Sequence, residues 1–500
     1  MLRVECLSVL SFDQNFFSSL LYPIQNTEAM EMIAMGYQDI EKRILKNLET
    51  GGISHRAKAS AGLWLGPLMG LSALATILRE DNSYSEVCLL VGLTGVGLII
   101  STVCLFVQLI IDKSPSRDFQ IIYFLPASIT SMLYLLGANK GLLTSVFWGL
   151  GTGSLGTWGV LQLMSYFSRC FTLGEAVIVT HGIILFLLSA GSNLPLRYHL
   201  PPLHDDDIAT TILQVGIIFV GVCCLLPGLF PKIRQKNLFY STALGLLILG
   251  VVPALHILLD QSPLLWMISY IFGGWRRVVM IVYWAVCLIL GAGLLSHQIQ
   301  SDTHANTVKR KGFHILAVLV YIPGLLWEPT LLYLASGVVM GVFVMMELMR
   351  LLKLPPLGDI LQLGFSVFAD EKDHLISLTP LYLLSGLSFP LWMPTSNLEI
   401  LPLLSGVLTI GIGDSAASIV GTRWGKTKWP GSDKSLEGTV ACALSQLTVV
   451  YGLALLGFIP QYIILVRSTL SIIAVSFIEA RTDQVDNLPL PIILYTCLVI

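Results

Sequence analysis

GTRWGKTKWPGSDKSLEGT (Gly421–Thr439) holds Arg423, Lys426, Lys428 and Lys434 among four glycines, and its GKT triplet raises the question of a phosphate loop. A Walker A loop needs four residues between its first glycine and the GK pair, on the strand-to-helix turn of an α/β unit. Here only Thr422, Arg423 and Trp424 separate Gly421 from Gly425, and position 420 is Val420. The preceding segment, 400–422, is apolar and reads as a helix, and a second apolar segment follows at 438–457. Each approaches the roughly 20 residues with which a helix crosses hydrocarbon. The stretch is therefore a loop between membrane helices and not part of an α/β fold. Its composition still suits phosphate. Glycines admit backbone N–H groups to the oxygens, lysines neutralise them, and a helix start near Ser435 adds its dipole.

The rest of the chain agrees. Its 500 residues are 54% hydrophobic and 12% charged, with mean hydropathy +0.77. Soluble domains carry about 25% charged residues. The expected fold class is all-α, a polytopic transmembrane helical bundle of about 13 to 16 spans. Net charge is −2, which gives no reason to expect a nucleic-acid partner. The nine cysteines are scattered and form no CxxC, so neither a disulfide framework nor a zinc site is expected. No cleaved signal peptide is expected, because Glu5 and Asp13 break the first apolar run.

Three regions follow from composition. Residues 1–58 are a non-membrane or interfacial region with an amphipathic helix at 28–49, to which no chemistry is assigned. Residues 59–295 form an upstream bundle, and 296–500 a C-terminal membrane domain. Basic loops at Lys232/Arg234/Lys236, Lys309/Arg310/Lys311, Arg350/Lys353 and 423–434 mark the cytosolic side. Asp205–Asp207 fall on the other side.

Several groups are candidates for chemistry. Asp414 ends the apolar run 400–413, and a carboxylate at membrane depth is costly and usually functional. Ala417, Gly421 and Gly425 follow it on one helix face, which alone is an ordinary small-residue packing face. Glu479, Asp483 and Asp486 fall at i, i+4 and i+7, either a solvated stripe or a cation-binding face. Asp370, Glu371 and Asp373 surround Lys372, as a surface loop also does. Lys311 and His314 stand at i, i+3, which equally suits an interface anchor. Glu347 and Arg350 suit a plain ion pair. Glu175 reads as a helix N-terminal charge.

Asp414, Ala417, Gly421, Gly425, Lys428, Lys434, Gly438 and Ala441 fix eight positions over 28 residues. This pattern resembles the signature of the polyprenol kinase and CTP-transferase superfamily, which includes dolichol kinases, phytol kinases and phosphatidate cytidylyltransferases. The wording from Trp429 to Thr439 most resembles the dolichol kinases. So do 171–176 (FTLGEA), 309–314 (KRKGFH), 346–358 (MELMRLLKLPPLG), 367–392 and 479–491 (EARTDQVDNLPLP).

The resemblance implies an enzyme that transfers the γ-phosphate of CTP to dolichol. The product, dolichyl phosphate, serves N-glycan, O-mannose and GPI-anchor synthesis. It implies a multi-pass endoplasmic reticulum protein whose active site faces the cytosol, with dolichol and the bilayer as partners. The catalytic region is then 296–500. Its CTP-binding loop, 422–437, is served by Thr422, Arg423, Gly425, Lys426, Lys428, Gly431, Ser432, Lys434, Ser435 and Glu437, and by Gly438 just beyond it. Asp414, Lys428, Lys434, Asp483 and Asp486 are the implied catalytic residues. Asp414, Asp483 and Asp486 are the implied Mg²⁺ ligands. Lys311, His314, Glu347, Arg350, Asp370, Glu371, Asp373, Glu479 and Asn487 are further candidates. Three other readings remain open: a kinase for a shorter prenol, a cytidylyltransferase acting on a lipid phosphate, and a transporter. The upstream bundle favours dolichol, the 370–373 cluster and the WPGS wording disfavour the cytidylyltransferase, and no inverted repeat supports a transporter.

Overall fold

Hydrocarbon offers no water to a backbone amide, so apolar runs of this length satisfy their hydrogen bonds internally as helices. The computed structural model describes residues 27–78, 86–300, 307–368, 373–393, 399–459 and 461–500. It is 81% helical, and the described residues form no strand. Among them, 8 helices are long and apolar enough to cross a membrane, and shorter apolar helices include Leu63–Ile77, Ile121–Gly137 and Pro489–Val499. Three expected spans are not uniform. Wide π-helical turns interrupt them at Leu150–Ser154, Leu247–Val251 and Val407–Asp414.

The chain forms two compact units. One joins Met1–Leu188 to Met393–Ile500, and the other is Ser189–Trp392. These units cut across the boundaries at 58 and 295 expected from composition. The physical reason is long-range packing. The Pro489–Val499 helix lies against Leu68–Leu78, Ile400–Leu403 and Tyr462–Arg481. Its Leu490, Ile492, Ile493, Leu494 and Tyr495 are buried. The amphipathic helix near the N-terminus is present as Thr27–Thr50. It buries Ile44 and Leu48, its Asn47 Nδ2 donates to Leu109 O at 2.8 Å, and it packs on Glu86–Ile111. Leu444, Leu455, Ile463 and Leu470 stand exposed on the Leu436–Leu455 and Tyr462–Arg481 helices, as apolar residues facing lipid do.

In the second unit, Asp205–Leu229 packs on Pro329–Leu351 around Ile208, Val215, Leu255, Trp266, Leu331 and Leu334. That helix places Asp205–Asp207 at its start and Lys232 and Arg234 just past its other end, in line with the charge pattern of the sequence.

Two helices meet closely around Gly421–Thr439. Ser415–Trp424 and Leu436–Leu455 approach through Ala417, Gly421, Gly425 and Gly438. A Cβ on Gly425, at the end of the first helix, would lie 2.5 Å from Ser435 Oγ and 2.8 Å from Ser435 Cβ at the start of the second. Gly425→Ala must therefore push the two helices apart, and we expect a loss of about 1–3 kcal/mol. A lowered thermal midpoint in detergent tests this, and an unchanged midpoint would contradict it. Ser435 caps the second helix as expected, its Oγ accepting from Gly438 N at 3.2 Å.

Candidate active site

The π-helical turn Val407–Asp414 ends on Asp414, and such turns recur at functional sites. Glu479 stands in the last turn of the Tyr462–Arg481 helix, and Asp486 lies on the segment that follows it. These three residues each offer a carboxylate oxygen, and the three oxygens lie within 4.8 Å of one another. Asp414 and Glu479 are buried.

Lys434 reaches this cluster from the basic loop. Its Nζ lies 2.6 Å from both Glu479 Oε1 and the Glu479 carbonyl, and 3.3 Å from Asp486 Oδ2. Burial pushes the ammonium toward deprotonation, but Asp486, Glu479 and Asp414 outweigh it and hold Lys434 above the usual lysine range. Three carboxylates less one ammonium leave two formal negative charges. Hard oxygen donors carrying such an excess suit a divalent cation.

The loop that delivers Lys434 is tightly held. Lys428 and Ser435 pair as an isolated antiparallel bridge. Trp429 N donates to Lys434 O at 3.0 Å and Leu436 N to Thr427 O at 2.8 Å. Gly431 supplies the turn with φ +72°, a left-handed value that suits glycine. Trp429 Nε1 donates to Thr439 Oγ1 at 2.9 Å, and its ring meets Phe477 edge-on. Arg481 donates to Pro430 O at 2.8 Å, and Ser432 Oγ to Ala480 O at 3.2 Å.

The expected nucleotide contacts divide by burial. Thr422, Arg423, Lys426, Lys428 and Gly431 are exposed, with Lys428 Nζ donating to the Asp433 carbonyl. Ser435 and Gly438 are buried in the cap and helix contact, and Gly425 lines that contact. Glu437 accepts from Thr427 N at 3.1 Å. Asn487 is buried next to Asp486 in the chain.

Asp483 departs from expectation. The i, i+4, i+7 spacing requires a helix through 486, but the helix stops at Arg481 and Thr482 turns extended. Asp483 instead accepts from Ser60 N at 2.6 Å and Ser60 Oγ at 2.8 Å. It is therefore not one of the three clustered carboxylates, and Glu479 takes that place beside Asp414 and Asp486. Asp483→Asn keeps an acceptor oxygen toward Ser60 and weakens a charge-assisted bond by about 1 kcal/mol. We expect it to retain activity within about tenfold. A loss as large as that of Asp414→Asn would return Asp483 to the site.

The second unit's candidates form a knot of their own. Arg350 grips Glu347 at 2.6 and 2.8 Å and also donates to Gln362 Oε1 and Leu375 O. Glu347 Oε1 accepts from Ser377 N at 2.8 Å. Asp373 accepts from Leu378 N, Thr379 N and Thr379 Oγ1 at the start of the Leu378–Trp392 helix. These partners match the plain ion-pair reading of Glu347 and Arg350. Lys311 and His314 are buried in the Thr307–Trp327 helix. Asp370 and Glu371 lie outside the described residues.

Sequence reasoning missed Arg56, Ser60 and Gln484, and it read Glu175 too simply. Glu175 has no exposed surface and is gripped by Arg56 at 2.6 and 2.8 Å. A carboxylate opening an apolar run was the available signal. Arg56, in a region assigned no chemistry, gave none.

Fold and site together define a polytopic helical membrane protein in which a basic loop brings Lys434 to a cluster of three carboxylates. Comparison with known proteins then gives the family. The dolichol kinase family model matches residues 159–377. Human dolichol kinase is 33% identical over 360 residues, 66% of this chain and 65% of that protein. The mouse protein is 34% identical over 359 residues, 66% of each chain. A dolichol kinase of Arabidopsis thaliana is 28% identical over 477 residues, 86% of this chain and 78% of that one. No solved structure matches. The chain belongs to the dolichol kinase family, and it spans about two thirds of the length of the mammalian relatives it matches.

Proposed function

We propose that this chain transfers the γ-phosphate of CTP to the terminal hydroxyl of dolichol at the cytosolic face of the endoplasmic reticulum. The observation that carries the reading is Lys434 among Asp414, Glu479 and Asp486, where a basic loop joins two apolar helices. Phosphoryl transfer asks a protein mainly for positioning and for opposite charge around the phosphate oxygens. Arg423, Lys426 and Lys428 are exposed on the loop to meet a triphosphate. Asp414, Glu479 and Asp486 fit Mg²⁺ by donor type and by their excess charge. Bound there, Mg²⁺ supplies Lewis-acid neutralisation of the phosphate oxygens. Asp414 or Asp486 takes the proton of the dolichol hydroxyl. The polyprenyl tail stays in lipid along the outward apolar face of Leu436–Leu455 and Tyr462–Arg481, so it never leaves the bilayer. Choice of CTP over ATP rests on the family resemblance alone. Dolichyl phosphate is the lipid carrier that N-glycan, O-mannose and GPI-anchor synthesis consume.

The test is label transfer by purified protein in detergent with dolichol, comparing γ-labelled CTP, α-labelled CTP and γ-labelled ATP. Label reaching lipid from γ-CTP alone supports the reading. Label from α-CTP makes the enzyme a cytidylyltransferase. Transfer to shorter prenols but not to dolichol changes the substrate.

A further inference from the structure

Asp486 sits between two helices, in a segment that neither of them holds. One helix ends at Arg481 and the next begins at Pro489. Residues far away in the chain fix the segment instead. Val485 N donates to Glu175 Oε1 at 3.1 Å. Gln484 Oε1 accepts from Thr172 Oγ1 at 2.6 Å, and its Nε2 donates to Ser60 Oγ at 2.9 Å and Ser60 O at 3.2 Å. Asp483 accepts from the backbone and hydroxyl of Ser60. Gly62 presses on the same side chain, since a Cβ there would lie 2.6 Å from Gln484 Oε1.

The anchor behind these bonds is the Arg56–Glu175 pair. Glu175 also accepts from Thr172 N at 3.3 Å, while Arg56 N donates to Phe171 O at 2.9 Å. Glu41 Oε1 accepts from Ala61 N at 2.5 Å and ties the 53–62 strap to the Thr27–Thr50 helix. A fully buried ion pair is a weak source of stability, because apolar residues of similar volume often do as well. What apolar residues cannot do is receive the Val485 and Thr172 amides.

We infer that Arg56, Glu175 and Ser60 are positioning residues for Asp486. They hold residues 482–488 so that the Asp486 carboxylate meets Lys434 beside Asp414 and Glu479. The catalytic consequence rests on the phosphoryl-transfer reading above, whereas the positioning itself does not. Carboxylates around a metal are oriented by the groups behind them, whose loss weakens metal affinity about 10–100-fold.

The experiment compares full-length wild type, the double variant Arg56→Met/Glu175→Leu, and Ser60→Ala. Two readouts are taken in detergent: hydrogen–deuterium exchange of residues 482–488, and the Mg²⁺ dependence of phosphoryl transfer with the KM for dolichol. The double variant should exchange at least about tenfold faster at 482–488, with residues 462–478 unchanged. Its Mg²⁺ concentration for half-maximal transfer should rise about 10–100-fold while the KM for dolichol holds. Ser60→Ala should move both readouts in the same direction by about threefold. Wild-type exchange and wild-type Mg²⁺ dependence in the folded double variant would overturn the inference and leave the pair purely structural. Should the double variant not fold, Ser60→Ala decides by the same readouts, since it keeps the backbone bond to Asp483. Should wild type transfer no phosphate, the function fails as proposed, and exchange at 482–488 still decides the positioning.

Discussion

Lys434→Met should lower phosphoryl transfer by about 10³-fold or more, the lower end of what a cation at a transferring phosphoryl group contributes. It should also destabilise the chain. Without its ammonium, Asp414, Glu479 and Asp486 remain as like charges within 4.8 Å, two of them buried. Without a bound cation, such a group relaxes by taking up a proton or by opening. Lys434→Arg should not rescue it. The ammonium is a point charge reaching the Glu479 carbonyl, the Glu479 carboxylate and Asp486 at once, and a planar guanidinium does not reproduce that geometry. The same cluster sets a pH dependence. Burial works against the charge, but Asp486, Glu479 and Asp414 raise the Lys434 pKa overall. A raised lysine contributes stability fully below its unfolded value, about 10.4, and loses it only as pH rises through the folded value. The gap in thermal midpoint between wild type and Lys434→Met should therefore not close below about pH 10, and should narrow above that as Lys434 loses its proton. Transfer within tenfold of wild type, or a gap that closes near neutrality, would remove Lys434 from the phosphoryl-transfer site.

Asp414→Asn should separate activity from stability. Asparagine matches the shape of aspartate but neither binds a cation as an anion nor accepts a proton as a base. Transfer should fall by about 10²–10⁴-fold. The variant also removes one of three crowded carboxylates, which lessens like-charge repulsion around Glu479 and Asp486. Its thermal midpoint should be no lower than wild type, the pattern of a residue kept for function at a cost in stability. Label transfer from γ-CTP and a thermal scan on one preparation check both halves. An active variant would exclude Asp414 from chemistry, and a strongly destabilised one would make it a structural residue.

Much of the candidate site could be read from the residues. Asp414 stood out because an apolar helix rarely ends on a carboxylate. Ser435 marked a helix start and does cap one. Residues 28–49 showed an amphipathic pattern and form a helix. The glycines were ambiguous, since the composition of a phosphate loop is also that of close helix packing. Gly425 and Gly438 line a helix contact, and Gly431 makes a turn. The acidic run at 479–486 misled because its regular spacing assumed a helix that stops at Arg481.

By itself the sequence determined the class of this protein: a helical membrane bundle with a basic loop between two spans and a carboxylate at the end of one. Those readings rest on local rules, for lipid forbids an unsatisfied backbone and spacing within a regular helix defines its faces. Only the tertiary structure decided which carboxylates meet. It brought Lys434 to Glu479 and Asp486 across 45 and 52 residues, and Arg56 to Glu175 across 119. It turned Asp483 away to Ser60, across 423 residues. Where a helix ends the periodicity ends with it, and the next side chain's direction is set by distant packing that no local spacing records.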